Sequence, residues 1–153
     1  GLIKDKIINK FKKKFINIHL GLSPYYRGSG SNYWPLVNNE PQLVGATFMI
    51  IDKGIDTGPI LHQIRGNIKK KDNVHKIGNR IIFDMTKELT KLLNSKKKFT
   101  FVKKKNHKKL YLKKDFNDES LLMIKKNFKN KMIENYLKKK NTIDKKFKIV
   151  KFI

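Results

Sequence analysis

The sequence predicts an α/β fold in which strands and helices alternate along the chain. Two segments carry this prediction. Residues 43–51 are apolar on both faces, which is typical of a strand in the interior of a sheet. Residues 74–92 repeat apolar side chains every three or four positions, which is typical of a helix that packs on a sheet with one face. Ligands of such folds bind in the loops at the strand ends, so we expect the functional residues there.

The first 65 residues are predicted to form three strands, two short helices and two glycine-containing loops. Ser31 or Asn32 is expected to cap the second helix, because a side-chain oxygen at that position can accept from free N–H groups of the first turn. The predicted elements are a helix end over 6–12, a strand over 15–20, a loop over 21–31, a helix ending at Val37, a turn over 38–42, a strand over 43–51, a loop over 52–59 and a strand over 60–65.

The rest of the chain is predicted to be mainly helical. Asp72 or Asn73 opens a helix whose apolar face consists of Val74, Ile77, Ile81, Met85, Leu89 and Leu92. A second helix begins near Asp118, and its apolar face consists of Leu121, Ile124, Phe128, Met132 and Tyr136. The remaining predicted elements are short strands over 99–102 and 110–112, an exposed connection over 138–146 and a strand over 147–153.

The composition excludes several classes of protein. The 153 residues include 37 Lys and Arg but 12 Asp and Glu, a net charge of +25, and no cysteine. A disulfide scaffold, a thiolate zinc site and a cysteine nucleophile are therefore excluded. The longest apolar stretch has nine residues, whereas a membrane-spanning helix needs about 20. With no signal peptide visible at the start, we expect a cytoplasmic protein without a membrane partner.

The positive charge leaves two interpretations open. The last 58 residues carry +16 of the net charge, and such a surplus attracts nucleic acid. The alternative is compositional: Lys, Asn and Ile are all abundant, and Lys then fills ordinary solvated positions. Only three of the 37 basic residues are Arg, whose guanidinium binds phosphates with two hydrogen bonds. This scarcity of Arg favours the compositional interpretation.

Asn17, His19 and Asp56 are the candidate catalytic residues. Asn17 and His19 lie two apart on a predicted strand and so share a face, while Asp56 lies on the loop after the longest apolar strand. Separately, a hydrogen-bonded histidine at a strand end and an Asp/Gly turn would explain them. Together, an Asp could orient the imidazole and an Asn amide could donate to a developing oxyanion. This set indicates general acid–base chemistry without a covalent protein nucleophile, and we predict no metal site.

The same residues resemble the signature of the folate-dependent formyltransferases, the family of the methionyl-tRNA, glycinamide ribonucleotide and sugar N-formyltransferases. Asn17-Ile18-His19 is followed by SPYYRG over 23–28 and by GATFMIIDKGIDTGPIL over 45–61, with Asp56 lying 37 residues after His19. The resemblance covers roughly residues 6–95. It implies that residues 1–95 are the C-terminal part of a Rossmann-like domain, a mixed sheet with flanking helices. Residues 96–153 would be a Lys-rich, mainly helical extension.

The resemblance also implies a reaction: transfer of a formyl group from 10-formyltetrahydrofolate to a primary amine. Asn17 and a protonated His19 would stabilise the tetrahedral oxyanion, and Asp56 would orient His19 and pass a proton through water. The folate would lie against the backbone of the aspartate loop, and the acceptor would approach Gly28. The loop residues implied at the folate are Ile51, Asp52, Lys53, Gly54 and Ile55.

Departures from the family pattern leave the acceptor open. Residues 21–24 are Gly-Leu-Ser-Pro where the family usually has Ser-Leu-Leu-Pro, and residues 29–35 match neither the tRNA-enzyme nor the purine-enzyme form. We favour a small amine such as an amino sugar, with a tRNA-directed enzyme or a Lys-rich nucleic-acid-binding module without catalysis as alternatives. The family's strands before Asn-x-His are missing here, so we expect a fragment of a longer enzyme. The sequence predicts no oligomeric state.

Overall fold

The structure is a computed structural model that describes residues 3–11, 14–104 and 107–152. It has the α/β architecture that the sequence predicts, with helices before, between and after two pairs of strands in the first 94 residues. The helices are α1 (Asp5–Lys10), α2 (Trp34–Val37), α3 (Val74–Asn94), α4 (Asp118–Lys129) and α5 (Met132–Lys146). The strands are β1 (Ile16–His19), β2 (Arg27–Gly28), β3 (Gly45–Ile50), β4 (Ile60–Arg65) and β5 (Leu110–Tyr111).

Two small sheets organise these strands. The larger has the order β1-β3-β4 with antiparallel neighbours, and all six residues of its central strand β3 are buried. This burial explains why residues of β3 are apolar on both faces. The smaller sheet pairs β2 with β5 in parallel, with Gly28 opposite Tyr111. It therefore joins the loop after β1 to the region beyond residue 95.

Helix α3 confirms the periodicity expected of it. Ile77, Ile81 and Leu92 on the predicted face are buried, and the remaining members of that face pack against the core while half-buried. Asn73 precedes the first turn in an extended conformation, and its side chain accepts from the Lys76 N–H at 2.9 Å. This bond satisfies one of the free amides at the helix start, so Asn73 is the N-cap.

Asp72 fixes the turn that leads into α3. Its carboxylate accepts two hydrogen bonds from the Arg80 guanidinium, at 2.6 and 2.9 Å, and one from the Lys69 N–H at 2.7 Å. The hydrogen bonds from Arg80 hold the pKa of Asp72 below its ordinary value. A carboxylate with a lowered pKa stabilises the fold above its unfolded pKa of about 3.9, and this stabilisation is lost as the pH falls through the folded pKa.

We therefore expect Asp72→Asn to lower the free energy of unfolding at pH 7 by about 1.5–3 kcal/mol, as for a lost charged hydrogen bond. The difference from the wild-type chain should shrink as the pH falls below about 3.9 and then through the lowered pKa of folded Asp72. Urea denaturation at pH 7 and pH 3 measures both values. The exposed Glu119→Gln is the control, with an expected change within about 0.5 kcal/mol. An equal loss at both pH values would contradict the electrostatic explanation.

The main core spans the whole chain. Trp34 of α2 stacks on Tyr111 of β5 with ring centroids 4.5 Å apart, and Tyr26 stacks on the same tyrosine at 5.8 Å. Buried side chains of α4 and α5 belong to this cluster; they are Ile124, Met132, Ile133 and Tyr136. Residues beyond 95 therefore complete the same hydrophobic core that the first half begins.

The predicted second helix is wrong in two respects. The segment forms two helices, because the helix is interrupted at Asn130 and Lys131. Lys131 takes a left-handed conformation with φ 60°. Leu121, placed on its apolar face, is 49% exposed. Residues 138–146, predicted as an exposed connection, form the second half of α5. The apolar spacing runs across the break, so it gave no signal of the change in direction.

Other local predictions also need correction. Tyr33 rather than Ser31 or Asn32 precedes α2, since the Asn32 Oδ1 instead accepts from the Gly45 N–H at 2.8 Å. Residues 99–102 and 147–152 form no strand in the described ranges. Val102 makes only an isolated bridge to Ile60. Position 12 of the predicted first helix and position 153 of the predicted last strand lie outside the described residues. No helix within the described ranges is long and apolar enough to cross a membrane.

Candidate active site

The side chains of Asn17, His19 and Asp56 meet at one end of the larger sheet. The Asp56 Oδ2 atom lies 3.4 Å from the His19 Nδ1 atom, and the Asp56 Oδ1 atom accepts from the Asn17 Nδ2 atom at 3.5 Å. The Gly28 N–H donates to Oδ2 at 2.8 Å. His19 is 8% and Asp56 is 12% exposed. The three candidate residues therefore form a single, largely buried polar cluster.

The strand periodicity explains how two of them meet. Asn17 and His19 alternate with Ile16 and Ile18, which pack into the apolar cluster around Phe48 on the other face. Asp56 reaches the same place from the loop between β3 and β4, where it takes a left-handed conformation with φ 54°. This conformation is uncommon outside glycine, but Asp and Asn tolerate it better than other side chains.

Both ring nitrogens of His19 face hydrogen-bond acceptors. Nε2 lies 3.1 Å from the Tyr26 carbonyl oxygen, and Nδ1 faces the Asp56 carboxylate. A neutral imidazole has only one N–H, whereas the imidazolium donates from both nitrogens. Only the imidazolium form could therefore donate to both of these acceptors at once.

A buried hydrogen-bond network holds the two loops that flank the cluster. Thr47 Oγ1 donates to the Gly21 carbonyl at 2.6 Å and accepts from the Ser23 N–H at 3.1 Å. Gln63 Nε2 donates to the Ser23 carbonyl at 2.7 Å, and the Ser23 hydroxyl donates to the Asp56 carbonyl at 3.4 Å. These bonds tie the loop after β1 and the aspartate loop to the buried strands β3 and β4.

Two cavities meet at the cluster, and Asn17, Ile55 and Asp56 line both. The smaller, of about 170 Å³, is bounded by the aspartate loop, residues 51–58, and by Met49 and Ile50. The larger, of about 640 Å³, extends from His19 towards Gly28, Tyr33 and Tyr111. A polar cluster between two cavities can act on two bound molecules at once.

All five loop residues predicted at the folate line the smaller cavity. The side chains of two of them, Asp52 and Lys53, also make polar contacts. Asp52 Oδ1 accepts from the Gly54 N–H at 3.0 Å and from Thr57 Oγ1 at 2.7 Å, which is the Asp/Gly turn given as the alternative explanation. The Lys53 ammonium, 70% exposed, pairs with Asp5 at 2.6 Å. Ile51 and Ile55 are half-buried.

Gly28 and several unpredicted residues shape the larger cavity. Gly28 lines it, and the Gly28 N–H donates to the Asp56 carboxylate. Tyr111 and Leu112 also line it, although they lie beyond the segment that resembles the family. Their position depends on the parallel pairing of β2 with β5. Neither periodicity nor motif spacing in the sequence signals this pairing.

Comparison with known proteins gives a family for most of the first 95 residues. Residues 1–93 match the family model described as formyl transferase. A methionyl-tRNA formyltransferase of Thermodesulfovibrio yellowstonii is 39% identical over 80 residues, which are 52% of this chain and 26% of that protein. The chain thus spans about a quarter of the length of this curated relative.

Solved structures match a larger part of the chain. The formyltransferase PseJ from Anoxybacillus kamchatkensis, solved with UDP-4,6-dideoxy-4-formamido-L-AltNAc and tetrahydrofolate, superposes with a TM-score of 0.63 at 24% identity, over 75% of this chain and 61% of that one. An N-formyltransferase from Helicobacter canadensis, solved with folinic acid and dTDP-3-aminofucose, gives a TM-score of 0.56 at 28% identity, over 76% and 45%. The fold is therefore shared beyond residue 95.

Proposed function

Since the chain belongs to the formyltransferase family, we propose that it transfers a formyl group from 10-formyltetrahydrofolate to a primary amine. The observation that carries the proposal is the contact of one carboxylate, Asp56, with Asn17, His19 and the Gly28 N–H at the meeting point of two cavities. Transfer between two substrates requires such a shared centre.

The donor supplies an activated formyl carbon. The proposed role of this chain is to stabilise the negative charge that develops beside this carbon and to transfer a proton there. The second N–H of the Asn17 amide is available to donate to a developing oxyanion, and the positive charge of His19 lowers the cost of that negative charge. Asp56 orients the imidazole. Its carboxylate oxygens lie within 3.5 Å of Asn17, His19 and the Gly28 amide, where they can take a proton from the attacking amine through water. The proton passes on to N10 of the folate as the bond between N10 and the formyl carbon breaks, and tetrahydrofolate leaves.

The smaller cavity suits one part of a folate. It combines an apolar floor, Met49 and Ile50, with the exposed backbone of the aspartate loop. At about 170 Å³ it is smaller than the roughly 300 Å³ at which pockets for drug-sized ligands begin. The residues proposed to contact the folate, Ile51 to Ile55, therefore form one wall of its site.

The larger cavity favours a small amine, such as an amino sugar, as the acceptor. Tyr33 offers an aromatic surface, and Ile82 and Leu112 offer exposed apolar ones. Among its described lining residues there is no Lys or Arg, although the chain carries 37 of them. The many phosphates of a tRNA acceptor would be expected to meet cations there. We also propose that residues 96–153 form an extension of the 1–95 segment that completes this cavity.

A tRNA acceptor is the second candidate, supported by the methionyl-tRNA formyltransferase relative and by the net charge of +25. Salt separates the two candidates. An acceptor held through six or more phosphates loses about 10³-fold in affinity between about 50 and 200 mM salt. For a small amine we expect KM to change within about fourfold, the effect of about one phosphate contact. Steady-state kinetics at the two salt concentrations measure this, and a steep rise in KM would favour tRNA.

The direct test incubates the protein, as its gene encodes it, with 10-formyltetrahydrofolate and a panel of amino-sugar nucleotides, glycinamide ribonucleotide and methionyl-tRNA. Mass spectrometry follows the addition of a formyl group to each acceptor, and absorbance follows release of tetrahydrofolate. We expect a formylated amino sugar. Absence of any formylated product, together with absence of folate binding by calorimetry, would reject the proposal.

A further inference from the structure

Arg27 bridges two segments that are far apart in sequence. It lies on β2, directly before Gly28, and its guanidinium donates from Nη1 to the Ile55 carbonyl at 3.1 Å. From Nη2 and Nε it donates to the Lys108 carbonyl at 3.0 and 3.4 Å. One side chain thus links the aspartate loop to the segment that leads into β5.

Arg27 and its partner Ile55 are sequence neighbours of the two residues in the Gly28–Asp56 hydrogen bond. Ile55 directly precedes Asp56, whose left-handed backbone directs its side chain towards Gly28. Gly28 directly follows Arg27, and its N–H donates to Asp56. Tyr111 pairs with Gly28 on β5, and the Ser29 N–H donates to its carbonyl at 2.8 Å. Arg27 therefore constrains the donor and the acceptor of the same hydrogen bond.

We propose that Arg27 is a positioning residue that fixes the Asp56 carboxylate against Gly28 and His19 by holding the aspartate loop to the 108–111 segment. The proposal rests on the proposed function for its kinetic consequence, although its structural part stands without it. A lysine could not replace Arg27, because a single ammonium lacks the planar fork that reaches two carbonyls. Arg27 is one of only three arginines among the 37 basic residues.

Amide hydrogen exchange tests the positioning without any enzyme assay. We expect Arg27→Lys to speed exchange of the Gly28 N–H by about 10- to 100-fold, as for the loss of hydrogen bonds to a charged group. Arg65→Lys is the matched control. Arg65 also donates to two backbone carbonyls, those of Gln42 and Phe147, and so also links the two halves of the chain. These contacts and its ion pair with Asp144 lie outside the aspartate loop. It should leave Gly28 exchange unchanged.

Equal protection of Gly28 in the wild-type chain and in Arg27→Lys would overturn the proposal, as would an equal loss in both variants. Circular dichroism and the melting temperature establish that each variant is folded. If Arg27→Lys does not fold, Arg27→Gln, which keeps a shorter polar side chain but cannot span the two carbonyls, replaces it with the same expected result.

Kinetics give the second readout. In the formylation assay we expect Arg27→Lys to lower kcat about 10- to 100-fold while KM for the acceptor stays within about twofold, because Arg27 contacts the loop and not the acceptor. A raised KM with unchanged kcat would overturn the positioning role. If the wild-type protein formylates no acceptor, the proposed function fails, and the Gly28 exchange rates still decide whether Arg27 holds this hydrogen bond.

Discussion

Replacing Asp56 with asparagine is expected to lower the rate of formyl transfer by about two to four powers of ten, the range for losing a positioned acid or base. The change removes the negative charge 3.4 Å from His19 and turns one acceptor oxygen into an N–H donor. Asparagine tolerates the left-handed backbone of position 56, so the loop should keep its conformation. Single-turnover formylation with saturating donor measures the chemical step.

Two further variants sharpen this experiment. His19→Ala should cause a loss of similar size, and the double variant should lose little more than either single one, because the two residues act as a unit. Asp84→Asn is the control, since it makes the same chemical change at a carboxylate of α3 that is absent from the linings of both cavities. A loss below tenfold in Asp56→Asn would remove Asp56 from the proposed role.

The position of each site residue on its own strand or loop could be predicted from the sequence, because it depends on short-range rules. A strand period of two brings Asn17 and His19 to one face, and an Asp/Gly-rich loop after a buried strand places Asp56 at the strand end. The helical period of α3 was equally visible, since its apolar positions recur every three or four residues. Each of these features is determined by residues that are close together in the sequence, within one strand, loop or helix.

The rest of the site depends on contacts that no local pattern encodes. Tyr111 reaches the larger cavity only because a two-residue strand pairs in parallel with β2, and so short a strand has no measurable period. The hydrogen bonds of Arg27 span 28 and 81 residues of sequence. The interruption between α4 and α5 at Lys131 was not predicted, because here a local pattern was present and misleading. Apolar residues on the two helices continue the same spacing across it.

A matched pair of glycine substitutions tests whether the close packing of β5 against Gly28 is required. In Gly28→Ala the new Cβ atom would lie 2.1 Å from the Tyr111 carbonyl oxygen, and position 28 has φ +84°. The left-handed conformation costs about 1–2 kcal/mol for alanine and overpacking about 1–3 kcal/mol. We expect the free energy of unfolding to fall by about 2–5 kcal/mol, measured by urea denaturation.

Gly78→Ala is the comparison variant, and its expected change in the free energy of unfolding has the opposite sign. Its Cβ atom would meet nothing within 4 Å in the interior of α3, so the gain in helix propensity should raise stability by about 0.5–1 kcal/mol. In Gly28→Ala the backbone of Tyr111 must move, and with it the Gly28 N–H that holds Asp56, so formyl transfer should fall along with stability. A stable Gly28→Ala variant with wild-type activity would mean that the parallel pairing of β2 with β5 is dispensable, and that Asp56 is held in place by the loop alone.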